Sequence, residues 1–276
     1  MSSIITLKLT SLYLSGNTEV TIILPSPPNS IPPQDFYESG EKFKVLWLLH
    51  GTFGDSSDWL RYSRIDLYAS EHNIAVVMPS ALNSDYVNWD CFGLGYHMYD
   101  YFFQELMPVI YNWFPISDKR EDNYIAGLSM GGFGTMVFAL NHPEKFSVAA
   151  SLSGPIMDPY NPPDCTPVKV VPPHIQAFRP NRKVNQLANA GGKEGYLKSP
   201  ANTWDKIVEN VKKGVDMPTL YFCCGMDDWI YPSFIHFKEY AEKNQVPAIF
   251  EEEPGYTHEW RFWDMYMEKV IDRFVK

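Results

Sequence analysis

A serine lies at the centre of a Gly-Leu-Ser-Met-Gly pentapeptide, residues 127–131. The short apolar run before it, 123–126, predicts a buried strand, and the small and apolar residues after it, 132–140, predict a helix. In a strand, sharp turn and helix of this kind, a serine hydroxyl can project from the top of a sheet as a nucleophile, and the glycines prevent collisions. We therefore predict that Ser129 is a nucleophile. The alternative is a glycine-rich turn in which the serine only caps the helix.

A serine nucleophile needs a histidine base and an acid that orients the histidine, because the hydroxyl alone is a poor nucleophile near neutral pH. In one known chain order, the acid follows the serine and the histidine comes last. Segment 218–224 predicts a core strand, and Asp227 and Asp228 follow it, where open α/β sheets bind their ligands. The Gly-x-x-Asp spacing from Gly225 favours Asp228 as the acid. Asp227 is the alternative, or a turn carboxylate.

Two of the seven histidines follow these acids in the chain. His236 lies within 232–243, which has the apolar spacing of a helix, and we interpret it as a packed or surface residue. His258 lies in a turn between a predicted strand, 248–251, and a predicted final helix, 260–274. We predict that His258 is the base; the alternative is a polar residue at the helix N-terminus.

The negative oxygen of a tetrahedral intermediate requires backbone N–H donors from the residue after the nucleophile and from an earlier strand-to-helix loop. The first donor would be Met130. The second would be Thr52, which follows the His-Gly pair at the end of a very apolar predicted strand, 43–49. We interpret the His50 side chain as structural support for this loop.

The alternation of strands and helices predicts the fold that would bring these residues together. Two antiparallel strands, 4–9 and 19–24, precede strands at 44–49, 74–78, 123–126, 147–152, 218–224 and 248–251, with helices such as 99–113 between them. This order predicts an α/β fold with a mainly parallel central sheet, helices on both faces and N-terminal antiparallel strands. We expect the whole chain, 1–276, to form one domain.

A proline-rich segment, 154–199, interrupts this alternation and is longer than an ordinary connection in a compact domain. Its position predicts a lid or cap over the active-site edge of the sheet; the alternative is a surface excursion packed to one side. Further candidate substrate contacts are Trp89 and Tyr96, from an aromatic loop after a predicted strand, and Trp229 beside the predicted acid. The loop aromatics could equally pack beneath the lid.

Composition limits the kinds of molecule that this protein is expected to bind and indicates its location in the cell. The formal charge of −10 argues against nucleic acid and anionic membranes, which select basic surfaces. The N-terminus lacks the segments of a signal peptide, and no run approaches the roughly 20 apolar residues of a membrane span, so we predict a cytoplasmic protein. The four cysteines show no metal-ligand spacing and are expected to be reduced thiols, with a Cys91–Cys165 disulfide as the alternative. We expect no metal and no cofactor, and no segment indicates an oligomer.

Four segments together resemble the esterase D or putative-esterase family. They are Leu-Leu-His-Gly at 48–51, Gly-Leu-Ser-Met-Gly-Gly at 127–132, Cys-Gly-Met-Asp-Asp at 224–228 and Thr-His-Glu-Trp at 257–260. The likeness extends from about residue 43 to the C-terminus and is greatest to the tributyrin-type carboxylesterases. It implies an α/β-hydrolase fold, a triad of Ser129, Asp228 and His258, and metal-independent hydrolysis of small-molecule esters. The chain departs from the family after the His-Gly pair, where Thr52 and Phe53 replace smaller residues, and Phe53 is expected to narrow the acyl side of the site.

These observations predict a serine carboxylesterase that hydrolyses short-chain or aromatic acyl esters through an acyl-enzyme intermediate. Within enzymes, the alternatives are a feruloyl or cinnamoyl esterase, which the aromatic loop favours, an S-formylglutathione hydrolase and an acyltransferase. Outside enzymes, the same fold can serve as a non-catalytic binding module. An intact set of nucleophile, acid and base argues against that last alternative.

Overall fold

A sheet of eight strands runs through the computed structural model, which describes residues 2–161 and 182–275. In the described residues, two further short strands form a separate hairpin. The strands in chain order are β1 (Ser2–Ser11), β2 (Gly16–Pro25), β3 (Val45–Leu49), β4 (Ala75–Pro79), β5 (Asn88–Trp89), β6 (Tyr96–His97), β7 (Asn123–Leu128), β8 (Val148–Leu152), β9 (Thr219–Gly225) and β10 (Ala248–Glu253).

The order of the strands across the main sheet is β1-β2-β4-β3-β7-β8-β9-β10. The pairs β1–β2 and β2–β4 are antiparallel, and every later pair is parallel. The carboxyl ends of β3, β7, β9 and β10 therefore meet at one edge of the sheet. The residues singled out for chemistry follow these four strands, so the topology gathers them at that edge.

Helices cover both faces of the sheet. Those described are α1 (Pro33–Tyr37), α2 (Asp58–Tyr62), α3 (Ile65–Glu71), α4 (Met98–Asp100), α5 (Met107–Trp113), α6 (Met130–Asn141), α7 (Arg182–Asn189), α8 (Lys193–Lys198), α9 (Thr203–Lys212), α10 (Tyr231–Lys243) and α11 (Trp260–Phe274). Short 3₁₀ turns lie at Arg120–Asp122 and Pro143–Lys145. A π-helical segment, Tyr101–Leu106, joins α4 to α5.

Each face of the sheet has its own apolar core. Successive residues of a strand point to opposite faces, and accordingly Trp47 belongs to one core whereas Leu46 and Leu48 belong to the other. The first core packs against α6, α9 and α10, and the second packs against α3 and α11. Because both faces are covered, β3 is buried at every position, which explains its unbroken apolar sequence.

The predicted strands are all present, and three other segments differ in detail from their predictions. The helix predicted at 99–113 contains the π-helical segment just before Pro108, a residue that lacks an N–H donor for the ordinary helical ladder. The aromatic loop includes the β5–β6 hairpin. Within the segment predicted as a lid, 154–199, the described part contains α7 and α8, while 162–181 lies outside the described residues.

Candidate active site

Ser129 lies in the one-residue turn between β7 and α6. Its backbone has φ 52° and ψ −116°, in a left-handed conformation that side-chain-bearing residues rarely adopt. The Ser129 N–H donates to the carbonyl of Leu152 at 2.8 Å, which ties the turn to the neighbouring β8. The side chain therefore emerges at the carboxyl edge of the sheet, as the pentapeptide predicted.

His258 connects Ser129 to Asp228 through both ring nitrogens. Its Nε2 lies 2.9 Å from Ser129 Oγ, and its Nδ1 lies 2.8 Å from Asp228 Oδ2. The Asp228 side chain is fully buried, and its other oxygen accepts the Ile230 N–H at 3.0 Å. Because a carboxylate can only accept, Nδ1 carries a proton and Nε2 is left to accept the serine proton.

A close approach of two loops brings the acid to the base. Gly225 ends β9, and a Cβ atom there would lie 2.3 Å from the carbonyl oxygen of Tyr256 in the loop that carries His258. The Asp227 N–H donates to that same carbonyl at 3.1 Å, while the Asp227 side chain faces solvent. The Gly-x-x-Asp spacing thus has a steric basis, and it places Asp228, not Asp227, against the histidine.

Aromatic rings surround the imidazole. The Trp229 ring lies 5.3 Å from the His258 ring between centroids, and the Trp263 ring meets the imidazole edge-on at 4.9 Å. Trp263 Nε1–H donates to Ser153 Oγ at 3.2 Å, which fixes that indole. Trp229 is 39% exposed, so its ring contacts both the imidazole and solvent.

The loop after β3 lies against Ser129. A Cβ atom on Gly51 would stand 3.5 Å from the Cβ of Ser129. His50 is buried and bonds on both sides: Nδ1–H donates to the Gly51 carbonyl at 2.7 Å, and Nε2 accepts the Ala81 N–H at 2.9 Å. Burial lowers the pKa of His50, against the opposing effects of the Gly51 carbonyl and of Asp55. A neutral His50 therefore supports the loop, as the sequence predicted.

The two predicted oxyanion donors belong to the two segments that adjoin Ser129. Met130 begins α6, and the first N–H groups of a helix have no acceptor within the helix. On the other side, Thr52 follows Gly51 in the loop that touches Ser129. The next N–H, that of Phe53, is already bound to Asn83 Oδ1 at 2.8 Å. The predicted oxyanion donor, Thr52, is the residue directly after Gly51, whose backbone approaches Ser129.

The putative esterase family model matches residues 13–265. The chain belongs to this family. Among its relatives, an acetyl esterase of Caldicellulosiruptor saccharolyticus is 27% identical over 274 residues, which is 96% of this chain and 96% of that protein. The chain is a carboxylic ester hydrolase, and it acts on small-molecule esters.

Solved structures share the architecture of this esterase. The crystal structure of an S-formylglutathione hydrolase from Staphylococcus aureus is 29% identical, with a TM-score of 0.79 over 100% of both chains. A ferulic acid esterase structure is 21% identical, with a TM-score of 0.70 over 100% of this chain and 97% of that one. The fold is the α/β-hydrolase fold.

Of the other predicted substrate contacts, Trp89 and Tyr96 lie in one cavity and Phe53 lies outside it. Trp89 and Tyr96 line a cavity of about 370 Å³ together with Leu82, Asn83, Ser84 and Phe92. Trp89 Nε1–H donates to the Ser84 carbonyl at 2.7 Å, and burial raises the pKa of Tyr96. Phe53 does not line this cavity, and its side chain is 78% exposed.

The structure places His236 in a different cluster from the triad. Its Nε2–H donates to Asp158 Oδ2 at 2.9 Å, and its ring stacks on Trp204 with centroids 5.2 Å apart. This helical residue is packed against neighbours, as its apolar surroundings predicted. It is engaged with an acid from the start of the insertion instead of with Asp228.

Two polar residues of the site region escaped the sequence analysis. Asn83 binds the Phe53 N–H from a loop 30 residues away, and Ser153, with φ 46°, holds Trp263 from 110 residues away. Neither lies in a motif. The one available signal is position, since each comes soon after the carboxyl end of a strand, β4 or β8.

The remaining expectations from the sequence concern metal ligands, membrane-spanning segments and the cysteines. In residues 2–161 and 182–275, no group of three or more His, Cys, Asp or Glu side chains could hold a metal ion. No helix in that part of the chain is long and apolar enough to cross a membrane. Cys91 is an exposed thiol and Cys223 is a buried one, whereas Cys165 lies outside the described residues.

Proposed function

We propose that this serine carboxylesterase uses Ser129 as nucleophile, His258 as general base and Asp228 as the acid that orients the histidine. One observation carries the assignment: a continuous chain of hydrogen bonds, 2.9 Å and 2.8 Å long, from the Ser129 hydroxyl through the imidazole to a buried carboxylate. The same order of groups activates serine in unrelated hydrolases.

Acylation follows from this geometry. His258 Nε2 takes the serine proton as Oγ attacks the ester carbonyl, and the buried Asp228 stabilises the resulting imidazolium. The carbonyl oxygen becomes an anion, which the N–H groups of Thr52 and Met130 bind. The imidazolium then gives its proton to the departing alcohol as the tetrahedral intermediate collapses to an acyl-serine.

Deacylation repeats these steps with water as the nucleophile. His258 takes a proton from the water as its oxygen attacks the acyl carbonyl, and the same two N–H groups bind the second oxyanion. Collapse returns the proton to Ser129 Oγ and releases the acid. The scheme uses only the three triad side chains and the N–H groups of Thr52 and Met130.

We infer a preference for small acyl groups. The acetyl esterase and the S-formylglutathione hydrolase that the chain matches are named for acyl groups of two carbons and one carbon. Trp229, whose partly exposed ring lies beside the His258 imidazole, would restrict a longer chain. A cytoplasmic location also remains a prediction.

A second candidate is hydrolysis of aromatic acyl esters. The observation that favours it is the cavity lined by Trp89, Phe92 and Tyr96, where a planar ring could pack. Asn83, which also lines the cavity, accepts the Phe53 N–H in the oxyanion loop, residues 50–54, which carries Thr52. The aromatic cavity therefore adjoins the loop that carries Thr52.

Hydrolysis of p-nitrophenyl esters from acetate to decanoate, of methyl ferulate and of S-formylglutathione tests both candidates. We expect the highest kcat/KM on acetate, with a fall of about 10⁴-fold or more in kcat for Ser129→Ala. Full activity of a contaminant-free Ser129→Ala preparation would refute the mechanism. A higher kcat/KM on methyl ferulate than on acetate would establish the second candidate, and a preference for S-formylglutathione would establish thioester hydrolysis.

A further inference from the structure

The loop after β4 is bound to the oxyanion loop at three points. The Ala81 N–H donates to His50 Nε2 at 2.9 Å, and the Tyr86 hydroxyl donates to the His50 carbonyl at 3.0 Å. At the third point, Asn83 Oδ1 accepts the Phe53 N–H at 2.8 Å. The first two bonds hold His50, at the root of the oxyanion loop, and the third holds the loop's tip.

The bond from Asn83 acts on a strained turn. The Gly54 N–H donates to the Gly51 carbonyl at 3.2 Å, so residues 51–54 form a turn with Thr52 and Phe53 at its centre. Phe53 has φ 67°, the sign that a type II turn requires at this position, where glycine or asparagine is usual. A phenylalanine there is strained by about 1–3 kcal/mol.

Packing of the Phe53 side chain cannot offset this strain, because the ring is 78% exposed. The turn is held instead by the hydrogen bond from the Phe53 backbone N–H to Asn83 Oδ1. Without its acceptor, residues 51–54 can relax through their backbone dihedral angles toward a form in which Phe53 has negative φ, as both central residues of the commoner type I turn do. Such relaxation would shift the turn that contains Thr52 and lies against Ser129, and a displacement of about 1 Å can cost 10²-fold in rate.

Asn83 is itself mounted on a rigid loop. Leu82, Asp85 and Tyr86 all have positive φ, between 50° and 57°. The Tyr86 ring is fully buried and packs edge-on against Phe138 of α6, the helix that Ser129 precedes. From the insertion, Gln186 Nε2–H donates to the buried Asp85 carboxylate at 2.6 Å. The loop that carries Asn83 is thus fixed by contacts with α6, through Tyr86, and with α7, through Asp85.

We propose that Asn83 is a positioning residue for the oxyanion hole. Its side-chain oxygen holds the Phe53 N–H, keeps the 51–54 turn in its strained form and thereby aims the Thr52 N–H at the developing negative oxygen. The inference rests on the proposed function, since it concerns the same reaction and the same donors.

The test compares Asn83→Ala with Asn112→Ala, using p-nitrophenyl acetate. Both asparagines are exposed and each bonds one main-chain group, but Asn112 donates to the Pro108 carbonyl on α5, away from the site. For Asn83→Ala we expect kcat to fall about 10- to 100-fold with KM within about twofold of wild type. For Asn112→Ala we expect both constants to match wild type.

A tetrahedral inhibitor separates positioning from general damage. An alkyl trifluoromethyl ketone adds to the serine hydroxyl to give an oxyanion, so its Ki should rise in Asn83→Ala by the same factor as kcat falls. The melting temperature should stay within about 2 °C of wild type, because the lost bond is exposed. A merely structural role would lower the melting temperature and leave the affinity of folded enzyme for this ketone unchanged.

Three outcomes would overturn the inference: an unchanged kcat, a higher KM at unchanged kcat, or a lower kcat without a matching rise in Ki. The second outcome would make Asn83 a substrate contact in the aromatic cavity. Ser129→Ala, assayed in parallel, isolates the proposed function. If it is inactive while Asn83→Ala matches wild type, only the positioning role fails; if it is active, the triad itself fails.

Discussion

Ser129 combines a strained backbone with a hydroxyl that is hydrogen-bonded to His258, the proposed base. A φ of 52° at a serine costs about 1–3 kcal/mol, and it persists because β8 holds the Ser129 N–H and α6 begins at the next residue. The strain directs Oγ out of the sheet toward His258. The strained backbone of Ser129 thus lowers local stability but fixes the direction of its Oγ.

Asp228→Asn should lower kcat for p-nitrophenyl acetate by about 10³- to 10⁴-fold. The asparagine amide can donate to His258 Nδ1, and this bond favours the tautomer whose proton lies on Nε2, facing Ser129. In that tautomer the imidazole cannot accept the serine proton. Steady-state kinetics at pH 8 would measure the loss.

Asp227→Asn is the matched control, since it makes the same chemical change one residue away on an exposed side chain. We expect its kcat/KM to lie within about twofold of wild type. Equal losses in the two variants, or a larger loss at Asp227, would contradict the assignment of the acid.

The residues of the proposed triad could be picked out from the sequence because each belongs to a local pattern. Ser129 has its pentapeptide, His258 follows a strand in a turn, and Asp228 has a glycine three residues before it. Asn83 has no such signature, because its partner is 30 residues away and the bond depends on how two loops cross. Spacing along a chain identifies groups that share a turn, but not those that meet across a sheet edge.

The strands were the most predictable elements of the fold. Burial on both faces requires apolar residues at successive positions, as in β3 and β4, and such runs are visible in sequence. The π-helical segment and the two-residue strands of the hairpin were not visible, since neither has a periodicity of its own. The helices α7 and α8 were hidden within a segment whose prolines and glycines indicated an irregular connection.

The folded protein should lose stability in acid because His50, directly after β3, is buried. Burial lowers the pKa of this histidine below its ordinary value of 6.5, so between 6.5 and the folded-state pKa the unfolded chain binds a proton that the folded protein does not. The free energy of unfolding therefore falls as the pH falls through this window. For one proton, the slope is at most about 1.4 kcal/mol per pH unit.

Urea unfolding of wild type and His50→Gln from pH 8 to pH 5 measures this contribution. Glutamine does not titrate, and its carbonyl can still accept the Ala81 N–H that His50 Nε2 accepts. We expect the difference in unfolding free energy to be constant above pH 7 and to shift in favour of the variant below 6.5. A difference that stays constant down to pH 5 would show that His50 is not held neutral.

Across the whole molecule, acidic residues outnumber basic ones by 33 to 23. At the edge of the sheet that carries the proposed triad, acids are exposed after β3, β5 and β9: Asp55, Asp90 and Asp227 respectively. A negative potential over this edge repels anionic substrates at distances up to the Debye length. The esterase should therefore discriminate between substrates by charge as well as by the size of the acyl group.

Salt should relieve that repulsion. The anion 4-acetoxybenzoate and its neutral methyl ester carry the same acetyl group and differ in one negative charge. The kcat/KM of the anion divided by the kcat/KM of the methyl ester therefore isolates the effect of that charge. Raising the ionic strength from about 0.01 M to about 0.1 M shortens the Debye length from about 30 Å to about 10 Å, and we expect the ratio to rise about two- to fivefold. A ratio that falls with salt would mean that cationic groups at the site outweigh the acidic loops, and would favour anionic thioesters as substrates.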